Sequence, residues 1–131
     1  MKKSILVIED DPAMLDAIRR LLAFRKLGFT GIAGTNDILE TVARQQPDLI
    51  LTDYVLPGMN GGMICKAIKN TPSLAHIPVI LMTAYHKEAI ALGHFGYDGY
   101  LAKPFDNKKL LKMIDKLLNL DTVESDLIRS H

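Results

Sequence analysis

The chain predicts an α/β protein, a doubly wound five-stranded parallel sheet. Short β-rich apolar runs stand at 4–8, 29–33, 48–52, 78–83 and 99–103, and a stretch with helical spacing follows each of them. Strand-then-helix alternation argues for parallel pairing with helices on both faces. The runs SILVI and PVILMT also lack polar alternation, as expected of strands covered on both sides. A length of 131 residues suits one such domain with a sizeable core.

SILVI (4–8) opens the pattern, and Asp11-Pro12 starts a helix, with Asp11 as cap and Pro12 in the first turn. Leu15, Ile18, Leu21 and Leu22 give that helix one apolar face, and Gly28 is expected to close it. FTGIA (29–33) is a weaker strand. Thr35 to Gln46 forms the second helix, with Ile38, Leu39, Val42 and Ala43 as its stripe and Pro47 as its stop. DLILT (48–52) is a buried strand, and the DYVLPGMNGG loop leads to a third helix marked by Met63, Ile64, Ala67 and Ile68. PVILMT (78–83) follows, then a poorly patterned helix over roughly 86–94. GYLAK (99–103) is the last strand, and FDNKKLLKMIDKLLNL the last amphipathic helix, capped by Asp106. One folded domain over 1–120 and a polar tail over 121–131 complete the division, with no second domain expected.

Composition narrows the function. A net charge of +1 gives no general field for nucleic acid or an acidic membrane. One cysteine, Cys65, cannot form an internal disulfide, which fits a reducing compartment. The initial MKKSILVIEDD has an apolar run too short for a signal peptide or a membrane span, so a cytoplasmic location is expected. His76, His86, His94 and His131 show no ligand spacing. Lys108, Lys109, Lys112 and Lys116 form a basic face on the last helix, read as solvated or as a docking surface for a protein and not for DNA; Asp106, Asp115 and Asp121 are expected to blunt it.

The chemistry collects at strand ends. In open α/β sheets, ligands bind beyond the carboxyl ends of the strands. Glu9, Asp10 and Asp11 follow the first run, Asp53 follows the third, Thr83 ends the fourth, and Lys103-Pro104 ends the fifth. Taken singly, each has an ordinary explanation: a solvated strand end, a β-prone threonine, an exposed lysine. Together they would gather carboxylates, a hydroxyl and an ammonium at one edge. Carboxylates so gathered call for a hard cation such as Mg²⁺, and the lysine and threonine for phosphoryl oxygens. A central carboxylate can then act as nucleophile. Asp11, followed by proline, is read as a cap.

With these residues the sequence resembles a response regulator receiver domain from Lys3 to about Leu120. ILVIEDDP resembles the acidic-pair segment, LILTDYVLPGMNG the phosphoacceptor strand and loop, MTA the switch strand and GYLAKPF the lysine-proline strand. The resemblance implies a (βα)5 flavodoxin-like fold with strand order 2-1-3-4-5. It implies Asp53 as phosphoacceptor and Mg²⁺ held by Glu9, Asp10, Asp53 and the backbone carbonyl of Val55. It further implies Thr83 and Lys103 on the phosphoryl oxygens, Tyr100 as the aromatic that reports the switch, and a cis bond before Pro104. Its partners would be a sensor histidine kinase or a histidine phosphotransfer protein. Output would run through a protein bound at the face of the fourth predicted helix, last strand and last helix, by a monomer or a phosphorylation-dependent dimer, with no membrane or direct DNA contact.

Two departures from the family pattern stand out. The segment from Thr83 to Lys103 is shorter by roughly half a helical turn and carries Gly93 and Gly96, so the fourth helix is expected to be short, shifted or mobile. Val55 and Tyr85 occupy the positions that flank the path of an attacking water. Neither can orient that water, which predicts slow self-dephosphorylation. Two other functions compete with this one. A Mg²⁺-dependent phosphatase of the haloacid dehalogenase type needs a second aspartate where Val55 stands. A phosphorylation-independent adaptor would not need the intact acid, threonine and lysine set.

Overall fold

The computed structural model describes residues 2–84 and 95–120. Its strands are β1 (Ser4–Ile8), β2 (Gly28–Ile32), β3 (Leu49–Asp53), β4 (Val79–Thr83) and β5 (Gly99–Ala102). They form one parallel sheet in the order β2-β1-β3-β4-β5. The helices among the described residues are α1 (Pro12–Phe24), α2 (Ile38–Gln45), α3 (Gly61–Lys69) and a C-terminal α4 (Asn107–Leu118). The predicted helix at 86–94 and the tail at 121–131 lie outside the described residues.

Alternation within the strands divides the core in two. Ile5, Val7, Leu49, Leu51, Ile80 and Met82 point to the face covered by α1 and α4, where Ile18, Leu22, Leu110 and Ile114 meet them. Leu6, Ile8, Ile50 and Val79 point to the other face, under Ile38, Val42, Ile64 and Ile68 of α2 and α3. β1 lies between β2 and β3, so the chain leaves it in opposite directions. That reversal opens a crevice at the carboxyl ends of β1 and β3.

Side chains set the helix starts. Asp11, Asp37, Asn60 and Asp106 each accept a backbone N–H from the first turn of the helix they precede. Asp37, two residues beyond the expected start, therefore delays α2 to Ile38. The expected stop of α1 at Gly28 is corrected. The helix ends at Phe24, Lys26 takes the left-handed turn with φ 62°, and the Leu27 N–H reaches back to the Leu22 carbonyl at 2.9 Å. Gly28 is already the first residue of β2.

Two charged clusters fix the outer layers. Arg25, just past α1, reaches Asp115 of α4 at 3.0 Å, with the Asp115 carboxylate buried. Asp115 thus faces α1, and Asp106 caps α4 by accepting the Lys108 N–H at 2.8 Å. At the end of α3 the Lys69 ammonium donates to the carbonyls of Ala75 and Ile77 at 3.1 and 2.8 Å and stands 2.8 Å from Asp98 Oδ2. No helix among the described residues is long and apolar enough to cross a membrane.

Candidate functional site

β3 carries Asp53 as its last residue, one place later than the expected strand end, and only 8% of it is exposed. A carboxylate so placed requires partners. Tyr54 N–H donates to Oδ1 at 2.9 Å, and Oδ2 lies 3.2 Å from the Lys103 ammonium. Lys103 extends from the end of β5 and donates to Glu9 Oε1 at 2.6 Å. Glu9, at the end of β1, is 1% exposed, and its Oε2 accepts the Asp11 N–H at 3.2 Å. Asp10 beside it is exposed. One carboxylate oxygen from each of Glu9, Asp10 and Asp53 falls within 4.8 Å of the others.

Three carboxylates thus face one ammonium, leaving an excess of two negative charges at the sheet edge. Burial raises the Glu9 carboxyl above its ordinary value, and the Lys103 hydrogen bond only partly offsets that. Burial works against the Lys103 charge too, but its hydrogen bond to Glu9 and the field of Asp53 outweigh burial and raise its pKa. Lys103 therefore stays cationic. Oxygen ligands with two uncompensated charges suit a hard divalent cation, so the donor set fits Mg²⁺.

The other expected residues have distinct places. Thr83 ends β4 one residue after Met82, which pairs with Asp53 across the ladder; it is buried, and its carbonyl accepts the Lys103 N–H at 2.8 Å. The Lys103–Pro104 bond is cis. Tyr100 lies in β5 with its ring near that of Tyr97 and its hydroxyl buried, without a hydrogen-bond partner among the described residues. Val55 follows two residues beyond Asp53 with 56% of its surface exposed. Tyr85 lies outside the described residues.

Glycines complete the site in ways that the motifs left unread. Gly61 opens α3 against the end of β3, and its N–H donates to the Tyr54 carbonyl at 2.8 Å. A Cβ there would run into the Asp53 carbonyl oxygen and meet Tyr54 Cα at 2.8 Å. Gly58 holds φ 76° beside Thr35, bridging the site loop to the loop before α2. The Gly-Gly pair after Asn60 was the available signal, but its reason lies in a close approach. Gly61→Ala is expected to destabilise the fold by roughly 1–3 kcal/mol through overpacking. Urea unfolding measures this; an unchanged midpoint would mean the turn relaxes freely.

Cys65 of α3 is fully buried, and burial pushes its thiol up to about 11 despite nearby Lys69. Alkylation of the native protein by iodoacetamide at pH 8 is expected to run on the order of 100-fold slower than in the unfolded chain. Equal rates would show that α3 opens readily.

A family model for the response regulator receiver domain matches residues 5–115. The chain is 34% identical over 118 residues to the chemotaxis protein CheY of Pseudomonas aeruginosa, covering 86% of this chain and 94% of that one. It is 31% identical over 132 residues to the response regulator MprA of Mycobacterium ulcerans, covering 96% of this chain but 54% of MprA, about half its length. The solved receiver domain of sensor histidine kinase PA1611 from Pseudomonas aeruginosa, with a magnesium ion coordinated in its active-site cleft, superposes with a TM-score of 0.82. That match has 26% identity and covers 91% of this chain and 99% of that one. The chain belongs to the response regulator receiver domain family of two-component systems.

Proposed function

We propose that this chain is a phosphorylation-controlled switch acting in the cytoplasm. An Asp53 oxygen attacks the phosphorus of a phosphohistidine on a sensor kinase or histidine phosphotransfer protein. The P–N bond breaks, its electron pair stays with the imidazole, and an aspartyl phosphate forms. Glu9, Asp10, Asp53 and the Val55 carbonyl would hold Mg²⁺, which neutralises charge on the phosphoryl oxygens. Lys103 is placed to hold a phosphoryl oxygen by charge, and Thr83 to follow another by hydrogen bonding. Tyr100 then repacks, altering the face that a partner reads. A cleft of about 310 Å³ beside β5, lined by Lys109, Lys112, Met113 and Lys116, supports protein docking at that face.

The observation that carries this reading is the set of three carboxylates against one ammonium at the sheet's switch point. Turnover is not expected, because Val55 stands where a second acid would serve a phosphatase. Its exposed apolar side chain, with Tyr85, also supports slow loss of the phosphoryl group.

Incubation with acetyl phosphate and Mg²⁺, followed by intact mass, tests the proposal. A phosphoryl-sized gain that requires both Mg²⁺ and Asp53 is expected, and Asp53→Ala should show none. Gain without Asp53 would overturn the assignment. Persistence of the gain, with faster decay in Val55→Asn and Tyr85→Glu, supports slow dephosphorylation; rapid decay in the unaltered protein overturns it.

A further inference from the structure

Phe95 connects three parts of the molecule near the site. Its ring lies 6.5 Å from that of Tyr54, with the planes inclined by 40°. It also covers Gly62 of α3, where an added Cβ would come within 2.8 Å of the ring. Its carbonyl accepts the Cys65 S–H at 3.4 Å. Tyr54 in turn supplies the N–H that holds Asp53 Oδ1. One unbroken line of contacts therefore runs from the phosphoacceptor carboxylate to the residues that enter β5.

The far end of that entry is held in place. Asp98 exchanges backbone and side-chain hydrogen bonds with Val79, donating at 2.9 Å and accepting at 2.8 Å, and its carboxylate also meets the Lys69 ammonium. Between Phe95 and Asp98 stands Gly96, with φ 84°, a conformation that glycine adopts without strain. A displacement of the Phe95 ring would thus be taken up over 95–98, and Asp98 would not follow.

We propose that Tyr54 and Phe95 are positioning residues that carry the occupancy of Asp53 to the 95–98 segment, by a path separate from Thr83 and Tyr100. This rests on the reading of Asp53 as phosphoacceptor. Phosphorylation of Asp53 to the acyl phosphate changes the charge and direction of the acceptors offered to the Tyr54 N–H, so the 53–54 peptide unit reorients and moves the Tyr54 ring. The missing Cβ at Gly62 lets the Phe95 ring lie directly on α3. With little slack there, a shift of Tyr54 drives Phe95 along the helix surface.

Backbone amide resonances test the proposal, recorded with and without Mg²⁺ and beryllofluoride, with acetyl phosphate and intact mass confirming that Asp53 can be loaded. In the unaltered protein, loading is expected to shift Phe95, Gly96 and Tyr97 as well as Thr83 and Tyr100. In Phe95→Ala the Gly96 shift should be lost, while those of Thr83, Tyr100 and Tyr97, whose ring lies 6.3 Å from that of Tyr100, should be kept. Phe95→Leu, which keeps apolar volume, serves if the alanine variant fails to fold, and Phe95→Tyr should restore the response. A full Gly96 shift in Phe95→Leu would overturn the path, as would the silence of Gly96 in loaded, unaltered protein. Absence of any mass gain would instead remove the phosphoacceptor reading, and the path with it.

Discussion

Lys103→Met is expected to slow phosphoryl uptake by Asp53 on the order of 100-fold, as loss of one preorganised cationic donor does elsewhere. The same change should tighten Mg²⁺ binding by about 10-fold, because it removes a competing cation from the carboxylates. Lys103 stands 2.6 Å from Glu9 and 3.2 Å from Asp53, so it partly neutralises the oxygens that a metal would use. With methionine there, the buried Glu9 loses its counter-charge, and the protein should melt at a lower temperature in EDTA. Added Mg²⁺ should recover part of that loss. Calorimetric titration separates these effects from the acetyl phosphate rate. Weaker Mg²⁺ binding in the variant would mean that Lys103 organises the carboxylates more than it competes for them.

Asp115→Ala is expected to destabilise the fold by about 3–5 kcal/mol, the range for removing one partner of a buried ion pair. The change leaves the Arg25 guanidinium facing an apolar side chain where it now meets a carboxylate at 3.0 Å. Replacing both residues together, as Arg25→Met with Asp115→Leu, should recover much of the loss, since an apolar pair needs no counter-charge. Urea unfolding of the two single variants and the double one gives the coupling directly. A single-variant loss below about 1 kcal/mol would place the pair with solvent-screened surface bridges.

The site was more legible than its supports. Glu9, Asp53, Thr83 and Lys103 could be read because each is the first polar group at or beyond an apolar run, and parallel pairing brings such ends together. The sheet was legible for the same reason, through runs such as SILVI and PVILMT. Boundaries were less so. Gly28 looked like a helix stop, yet Lys26 makes that turn, because hydrogen bonds to Ala23 and Leu22 hold a left-handed residue without needing glycine. Arg25 and Asp115 lie far apart in sequence, and Asp115 reads there only as blunting the lysines of the last helix; the packing of α4 on α1 buries its carboxylate against a part-buried Arg25. Gly61 was one glycine of a loop until the distance to the Asp53 carbonyl gave it a reason.

The connection from α3 to β4 illustrates how much one ammonium can do. Residues 70–78 have no regular structure, yet Lys69 holds two of their carbonyls, Thr71 bonds back to Ala67 at 2.8 Å, and Ala75 and Ile77 close internal turns. A protease needs several residues of extended, detachable backbone in its cleft. Near its end this loop offers none without first pulling a lysine from three oxygens at once, so it is tied to the helix before it.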